Sequence, residues 1–193
     1  MHPFRAFISD YTDLPDKDWN EIEKHLIYRE YAIGELILKE GDVCKKLYFL
    51  EHGFLRYFSL KEDGESATKF FTEAPYCFTS QQSFTNKAPS KESIEVLEKA
   101  MVWEMSQEMA FELLRLASWS EFVRKLVQEV QFFTQEILEE LQTKTAEERY
   151  ITMLESNSSI LNRSPLKYVA SYLGIAPQSL SRIRKKYYQQ QRS

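Results

Sequence analysis

Residues 164–187 read SPLKYVASYLGIAPQSLSRIRKKY, and their spacing describes two short helices around a tight turn. Leu166 to Leu173 places Val169, Ala170 and Leu173 on one helical face. Gly174 follows, where a helix stop favours a residue tolerant of positive φ. Pro177 suits the first turn of a second helix, because its missing N–H costs nothing there. Leu180 and Ile183, three residues apart, carry the buried side of that helix. Gln178, Ser179, Ser181, Arg182, Lys185 and Lys186 are then available to face outward, and Arg184 joins them as a candidate for contact with DNA phosphates. Helix, glycine-containing turn, helix is the pattern of a DNA-reading helix-turn-helix, whose second helix enters the major groove.

Charge separates along the chain in the same sense. Residues 156–193 contain seven of the 25 basic residues and none of the 29 acidic ones, so residues 1–155 carry a formal −11 against +7 at the C-terminal end. A basic end on an acidic body is the electrostatic footprint expected of a phosphate-backbone binder. The plainer alternative is a solvated basic tail built on a small helical hairpin.

Upstream, 43% hydrophobic and 14% aromatic residues supply enough apolar surface for a folded core. No run of about 18 uncharged apolar residues is present, and residues 1–19 lack a signal-peptide core, so the expectation is a cytoplasmic protein that does not enter the membrane. Cys44 and Cys77 are far apart and fit reduced core thiols. They are too few for an iron–sulfur cluster within one chain, which needs about four thiolates. No order of Ser, His and Asp, no phosphate-binding glycine loop and no metal-spaced His/Cys set stands out, so neither catalytic residues nor a metal site are expected.

Taken in order, residues 15–27 have the spacing of a first helix, with Trp19, Ile22, Leu26 and Ile27 behind Pro15. Residues 28–60 then change period. Short β-branched and aromatic runs are punctuated by Gly34, Gly41-Asp42 and Gly53, which implies a β-roll or barrel. Glu62-Asp63-Gly64-Glu65 signals a hairpin, and residues 93–97 and 101–105 read as later strands. Residues 107–142 form the longest helical pattern. Val123, Leu126, Val130, Phe133 and Ile137 alternate at spacings of 3 and 4 as a dimer seam does, and Phe122, Val127, Leu138 and Leu141 form a second stripe for packing back on the body. A buried helix of a monomer could carry the same stripes. Residues 145–150 open the next helix, and residues 156–159 read as a polar loop.

The motif Tyr31-x-x-Gly34-Glu35-x-Ile37-x-x-Glu40-Gly41-Asp42, followed by Leu47-Tyr48-Phe49-Leu50-x-x-Gly53, resembles the cyclic-nucleotide-binding β-roll of the Crp/Fnr transcription regulators. The resemblance runs from about residue 15 to residue 187. It implies an α+β chain in three parts: an antiparallel β-roll (a jelly-roll-like sensor) over residues 1–115, a dimerisation helix over 116–143 and a helix-turn-helix unit over 144–193, with a short or missing wing. It also implies a double-stranded DNA operator, a second copy of the chain and RNA polymerase as partners, with a small-molecule effector still unidentified.

The ligand cassette departs from the family pattern. Nucleotide-binding members use a Gly-Glu pair for the ribose and an Arg-Ser or Arg-Thr pair for the cyclic phosphate. Alignment puts Ser80-Gln81 and Ser90-Lys91 in those places. Serine cannot supply the bidentate fork and charge of arginine, so cyclic AMP is not the expected ligand and no cofactor is assigned. These four residues are read either as a remodelled effector pocket or as a solvated loop. On the recognition helix, the family's leading Arg, its Glu and its second Arg correspond to Pro177, Gln178 and Arg182. The reading that follows is a homodimeric DNA-binding transcription regulator, not an enzyme. The alternative is a cyclic-nucleotide or other small-molecule binding module with no DNA role.

Overall fold

The structure is a computed structural model that describes residues 1–156 and 158–190. Its elements, in order, are α1 (Pro3–Ser9), α2 (Asp16–Glu23), β1 (Ile27–Tyr31), β2 (Leu36–Leu38), β3 (Lys46–Leu60), β4 (Ser66–Glu73), β5 (Tyr76–Phe78), α3 (Gln81–Asn86) and β6 (Ser93–Ser106). A helical half follows, with α4 (Gln107–Glu112), a 3-10 turn (Leu113–Arg115), α5 (Ala117–Thr143), α6 (Ala146–Ser156), α7 (Ser158–Arg163), α8 (Leu166–Leu173) and α9 (Pro177–Gln190). An antiparallel β half followed by a helical half is the α+β arrangement expected.

The sheet runs β1-β6-β3-β4, with β2 also on β6 and β5 also on β3. Strand β3 is its spine. Its first part pairs with β5 and its last part with β4, while β6 runs along its other side. The β3–β6 register shifts repeatedly between Leu50 and Leu55, and such bulges bend a sheet and sharpen its twist, which rolls this one. Gly53 sits within that bent stretch at φ +120°, and a Cβ there would lie 2.8 Å from the Ala100 Cα, so a side chain would force the two strands apart. The expected hairpin is present. Between β3 and β4 the Lys61 N–H donates to the Glu65 carbonyl at 2.8 Å, and the Gly64 N–H donates back to the Lys61 carbonyl at 2.9 Å.

Several boundaries differ from the sequence reading. Helix α2 stops at Glu23, and Ile27 opens strand β1 and is 66% exposed. The two strands read over residues 93–105 are one continuous strand, β6, because no turn residue interrupts them. The single helix read over residues 107–142 breaks at Leu116, whose extended backbone precedes α5. Residues 158 and 159, read as loop, begin helix α7, and Asn157 lies outside the described residues. Helix α1 was not anticipated. It buries Phe4, Phe7 and Ile8, with Phe4 stacked 4.7 Å from Phe49 and edge-on to Trp119 and Phe122 of α5.

These contacts make one large core between the roll, α1, α2 and the first half of α5. A second, smaller core joins Tyr150 of α6 to Val169, Ala170, Leu173 and Leu180. Cys44 and Cys77 are buried free thiols of the roll, and burial pushes the Cys77 thiol up.

Candidate nucleic-acid interface and sensor cleft

Helices α8 and α9 meet around Gly174, which takes φ +72° and donates its N–H to the Ser171 carbonyl as the cap of α8. Val169, Ala170 and Leu173 pack into the second core from α8, and Leu180 does so from α9. Arg149 of α6 donates to the Leu173 carbonyl at 2.8 Å, which ties the turn to α6. With Leu180 buried, Gln178, Ser179, Ser181, Arg182, Lys185 and Lys186 stand exposed.

The basic residues are not equally available. Arg182 and Lys185 form no ion pair among the described residues. Lys186 pairs with Glu147 of α6 at 2.7 Å, and both side chains are partly exposed. Arg184 is half-buried beside the Tyr150 phenol of α6. Arg163, counted in the basic footprint above, lies between two carboxylates of the roll, Glu73 at 2.7 Å and Glu98 at 2.6 Å. The Arg163 guanidinium draws the Glu98 carboxyl below the usual carboxylate range.

On the roll, Ser80 and Ser90 are both buried, and their hydroxyl oxygens lie 3.0 Å apart. Ser80 also donates to Glu92 Oε1 at 3.0 Å, and Ser90 donates to the Glu92 carbonyl at 2.7 Å. Lys69 spans the opening, donating to the Lys91 carbonyl at 2.8 Å with its ammonium 3.5 Å from Glu92. Gln81 and Lys91 are exposed instead. The four cassette residues therefore divide. The two serines close on each other and on a carboxylate, while Gln81 and Lys91 point toward solvent. The two serines are not solvated, because Ser80 is buried at the N-terminal end of α3 and Ser90 is buried within the roll.

Beside the cassette lies a cleft of about 1520 Å³, lined on the roll side by Phe70, Tyr76 and Phe78 and on the helical side by Val130, Ile137 and Tyr172. The residues expected at the dimer seam are sorted differently by packing. Leu126 is buried in the roll's core and Val123 packs against it, whereas Val130 and Ile137 are half-buried and Phe133 is exposed. Of the second stripe only Phe122 packs back. Val127, Leu138 and Leu141 are 45%, 54% and 54% exposed. The first half of α5 is thus a core helix, and its second half keeps an uncovered apolar face running through Val127, Val130, Ile137, Leu138 and Leu141. The seam spacing did not show this, because the two stripes overlap where the helix leaves the roll.

Residues 28–116 match the family model described as the cyclic nucleotide-binding domain. The match runs from β1 to the end of the 3-10 turn and stops before α5. Among solved structures, a protein assigned to the crp/fnr regulators of Eubacterium rectale superposes with a TM-score of 0.73 at 17% identity, covering 92% of this chain and 85% of that one. FixK2 from Bradyrhizobium japonicum superposes with a TM-score of 0.70 at 17% identity, covering 86% and 85%. CLP of Xanthomonas campestris, a c-di-GMP-responsive global regulator, gives 0.67 at 14% identity, covering 91% and 93%. The fold of the Crp/Fnr regulators is shared over nearly the whole chain, and the resemblance read from the glycine motifs stands. No curated protein matches the sequence. Among the described residues, no helix is long and apolar enough to cross a membrane, and no group of His, Cys, Asp and Glu is placed to hold a metal ion.

Sequence reasoning missed Glu92 as the acceptor that closes the cassette, and it missed Arg163 as a residue of the roll–helix contact. Glu92 was legible only as one acid among many. Arg56 was more conspicuous, as a lone cation inside the apolar run Phe54-Leu55-Arg56-Tyr57-Phe58, and it is 2% exposed.

Proposed function

We propose that the chain is a cytoplasmic, homodimeric, sequence-specific DNA-binding regulator of transcription whose roll has lost the means to hold cyclic AMP. The observation that carries the reading is the polar face of α9. Gln178, Arg182 and Lys185 stand exposed on a helix anchored by the buried Leu180, at the basic end of an otherwise acidic chain. Two such helices related by a two-fold axis would read half-sites about one helical turn, ~34 Å, apart. The purified chain is to be used to select bound duplexes from random DNA, with and without cyclic AMP. A two-fold-symmetric motif enriched equally in both arms is expected, and failure to enrich any motif would overturn the reading.

The cassette motivates a second expectation. Two buried serines and the Glu92 carboxylate offer a cyclic phosphate no free cation, and they present a negative charge to it. Calorimetric titration with cyclic AMP should give no binding heat. A micromolar or tighter dissociation constant would show that Lys69 leaves Glu92 to take the phosphate. The alternative, a small-molecule binding module without a DNA role, is favoured by the size of the aromatic cleft. It predicts tight ligand binding together with no duplex enriched.

A further inference from the structure

The helical unit that carries α9 does not hang from α5 by its linker alone. It is seated on β4, the strand at one end of the sheet path β1-β6-β3-β4. An edge strand presents unpaired backbone groups that a folded protein must cover. Here a single hydroxyl does so. Ser171 of α8 accepts the Thr68 N–H at 2.9 Å and donates to the Ser66 carbonyl at 3.0 Å. Beside it, the buried Arg56 guanidinium bonds Thr68, Ser66 and Glu95 and lies 3.6 Å from the centre of the Tyr168 ring of α8. At the other end of the strand, Arg163 forks onto Glu98 and Glu73, donates to the Gly53 carbonyl at 3.2 Å and covers the Phe54 ring at 4.6 Å. Ser159 donates to the same Glu73 carboxylate at 2.6 Å.

We propose that this contact is an intramolecular clamp, with Arg163 and Ser171 as its pins, which holds the α7–α9 unit on the sheet edge in an arrangement that opposes DNA binding. The direction follows from what the seat covers. In a helix-turn-helix the first helix crosses the DNA backbone while the second lies in the groove. Helix α8 is enclosed on two sides, with Val169, Ala170 and Leu173 in the second core and Tyr168 and Ser171 on β4, which leaves Lys167 as its only exposed residue. The seat also brings Glu73 and Glu98 beside the basic unit, where their carboxylates hold Arg163, a cation otherwise available to phosphates. Tyr172 and Glu73 line the aromatic cleft as well as joining this contact, so whatever fills the cleft touches the clamp directly.

The inference rests on the DNA-binding reading for its consequence but not for the contact itself, and the experiment separates the two. Arg163→Ala and Ser171→Ala are compared with the parent chain by hydrogen exchange at the Thr68 amide and by affinity for a mixed-sequence duplex at fixed salt. If the seated form holds about nine-tenths of the molecules, releasing it tightens the apparent dissociation constant by up to about tenfold. Both variants should exchange Thr68 faster and bind the duplex more tightly, although Arg163→Ala removes a positive charge. Simple loss of a phosphate contact would instead weaken binding in Arg163→Ala and leave Ser171→Ala unchanged, which overturns the proposal. Unchanged Thr68 exchange in both variants overturns it as well. Ser171→Ala removes one oxygen from a half-exposed site, so it keeps the test open if Arg163→Ala does not fold. Faster exchange with no duplex binding by any of the three proteins would leave the clamp standing and remove the DNA-binding reading.

Discussion

The parent chain is expected to sediment as a dimer and Val130→Asp as a folded monomer. In the single chain Val130 lies on the uncovered face of α5 with Val127, Ile137, Leu138 and Leu141. These residues recur at spacings of 3, 7, 1 and 3 down one side of the helix, and such a face is stabilised by a second helix laid against it. Pairing two copies through it would bury an aspartate from each chain, unpaired and next to its like-charged twin, at a cost of several kcal/mol. Folding should survive, because Val130 is not part of the roll's core. Leu126→Asp is the contrasting variant. It places the charge inside that core and should lower the thermal midpoint instead. Sedimentation of Val130→Asp at the parent's dimer mass, with its circular dichroism intact, would show that copies associate through some other surface.

The legible and illegible parts of this chain divide along physical lines. The glycines at 34, 41, 64 and 174 stand at turns and Gly53 at a bend within β3, and all take positive φ, a demand that only glycine meets cheaply, so most places where the chain turns could be read from spacing alone. The exposed face of α9 was equally legible, because Leu180 and Ile183 define its opposite side. What could not be read was any contact between elements distant in sequence. Glu92 closes on Ser80 across 12 residues, Arg163 reaches Glu73 and Glu98 across 90 and 65, and Ser171 reaches Thr68 across 103. None of these pairs leaves a local pattern. The apolar stripes of α5 were legible in composition but not in their division, since one helix serves the roll's core at Phe122 and Leu126 and then leaves it. Helix α1 escaped because a helix of 7 residues shows too few turns for periodicity to separate from chance.

Arg182→Ala is expected to change which sequence is bound, and Lys186→Ala to change how strongly all sequences are bound. Gln178 and Arg182 are four apart and exposed, so they lie one above the other on the same face of α9. Glutamine pairs with adenine N6 and N7 and arginine with guanine O6 and N7, and each such pair is worth roughly 1–3 kcal/mol of discrimination. Arg182 forms no ion pair among the described residues, so its guanidinium is available to a base edge without first breaking one there. Removing it should relax preference at one position per half-site and leave the salt dependence nearly unchanged. Lys186 begins in an ion pair with Glu147, but both partners are partly exposed, and such pairs are worth only about 0–1 kcal/mol. A phosphate can take the lysine at little cost. Arg184 is half-buried where Lys185 and Lys186 are exposed, so phosphate contacts are expected to rest on those two lysines. Lys186→Ala should therefore weaken a selected operator and a scrambled duplex alike and reduce the slope of log K against log salt by about one. Titrations of both variants against both duplexes over a range of salt decide the matter. An equal loss on the two duplexes for Arg182→Ala would move that residue from base reading to backbone binding.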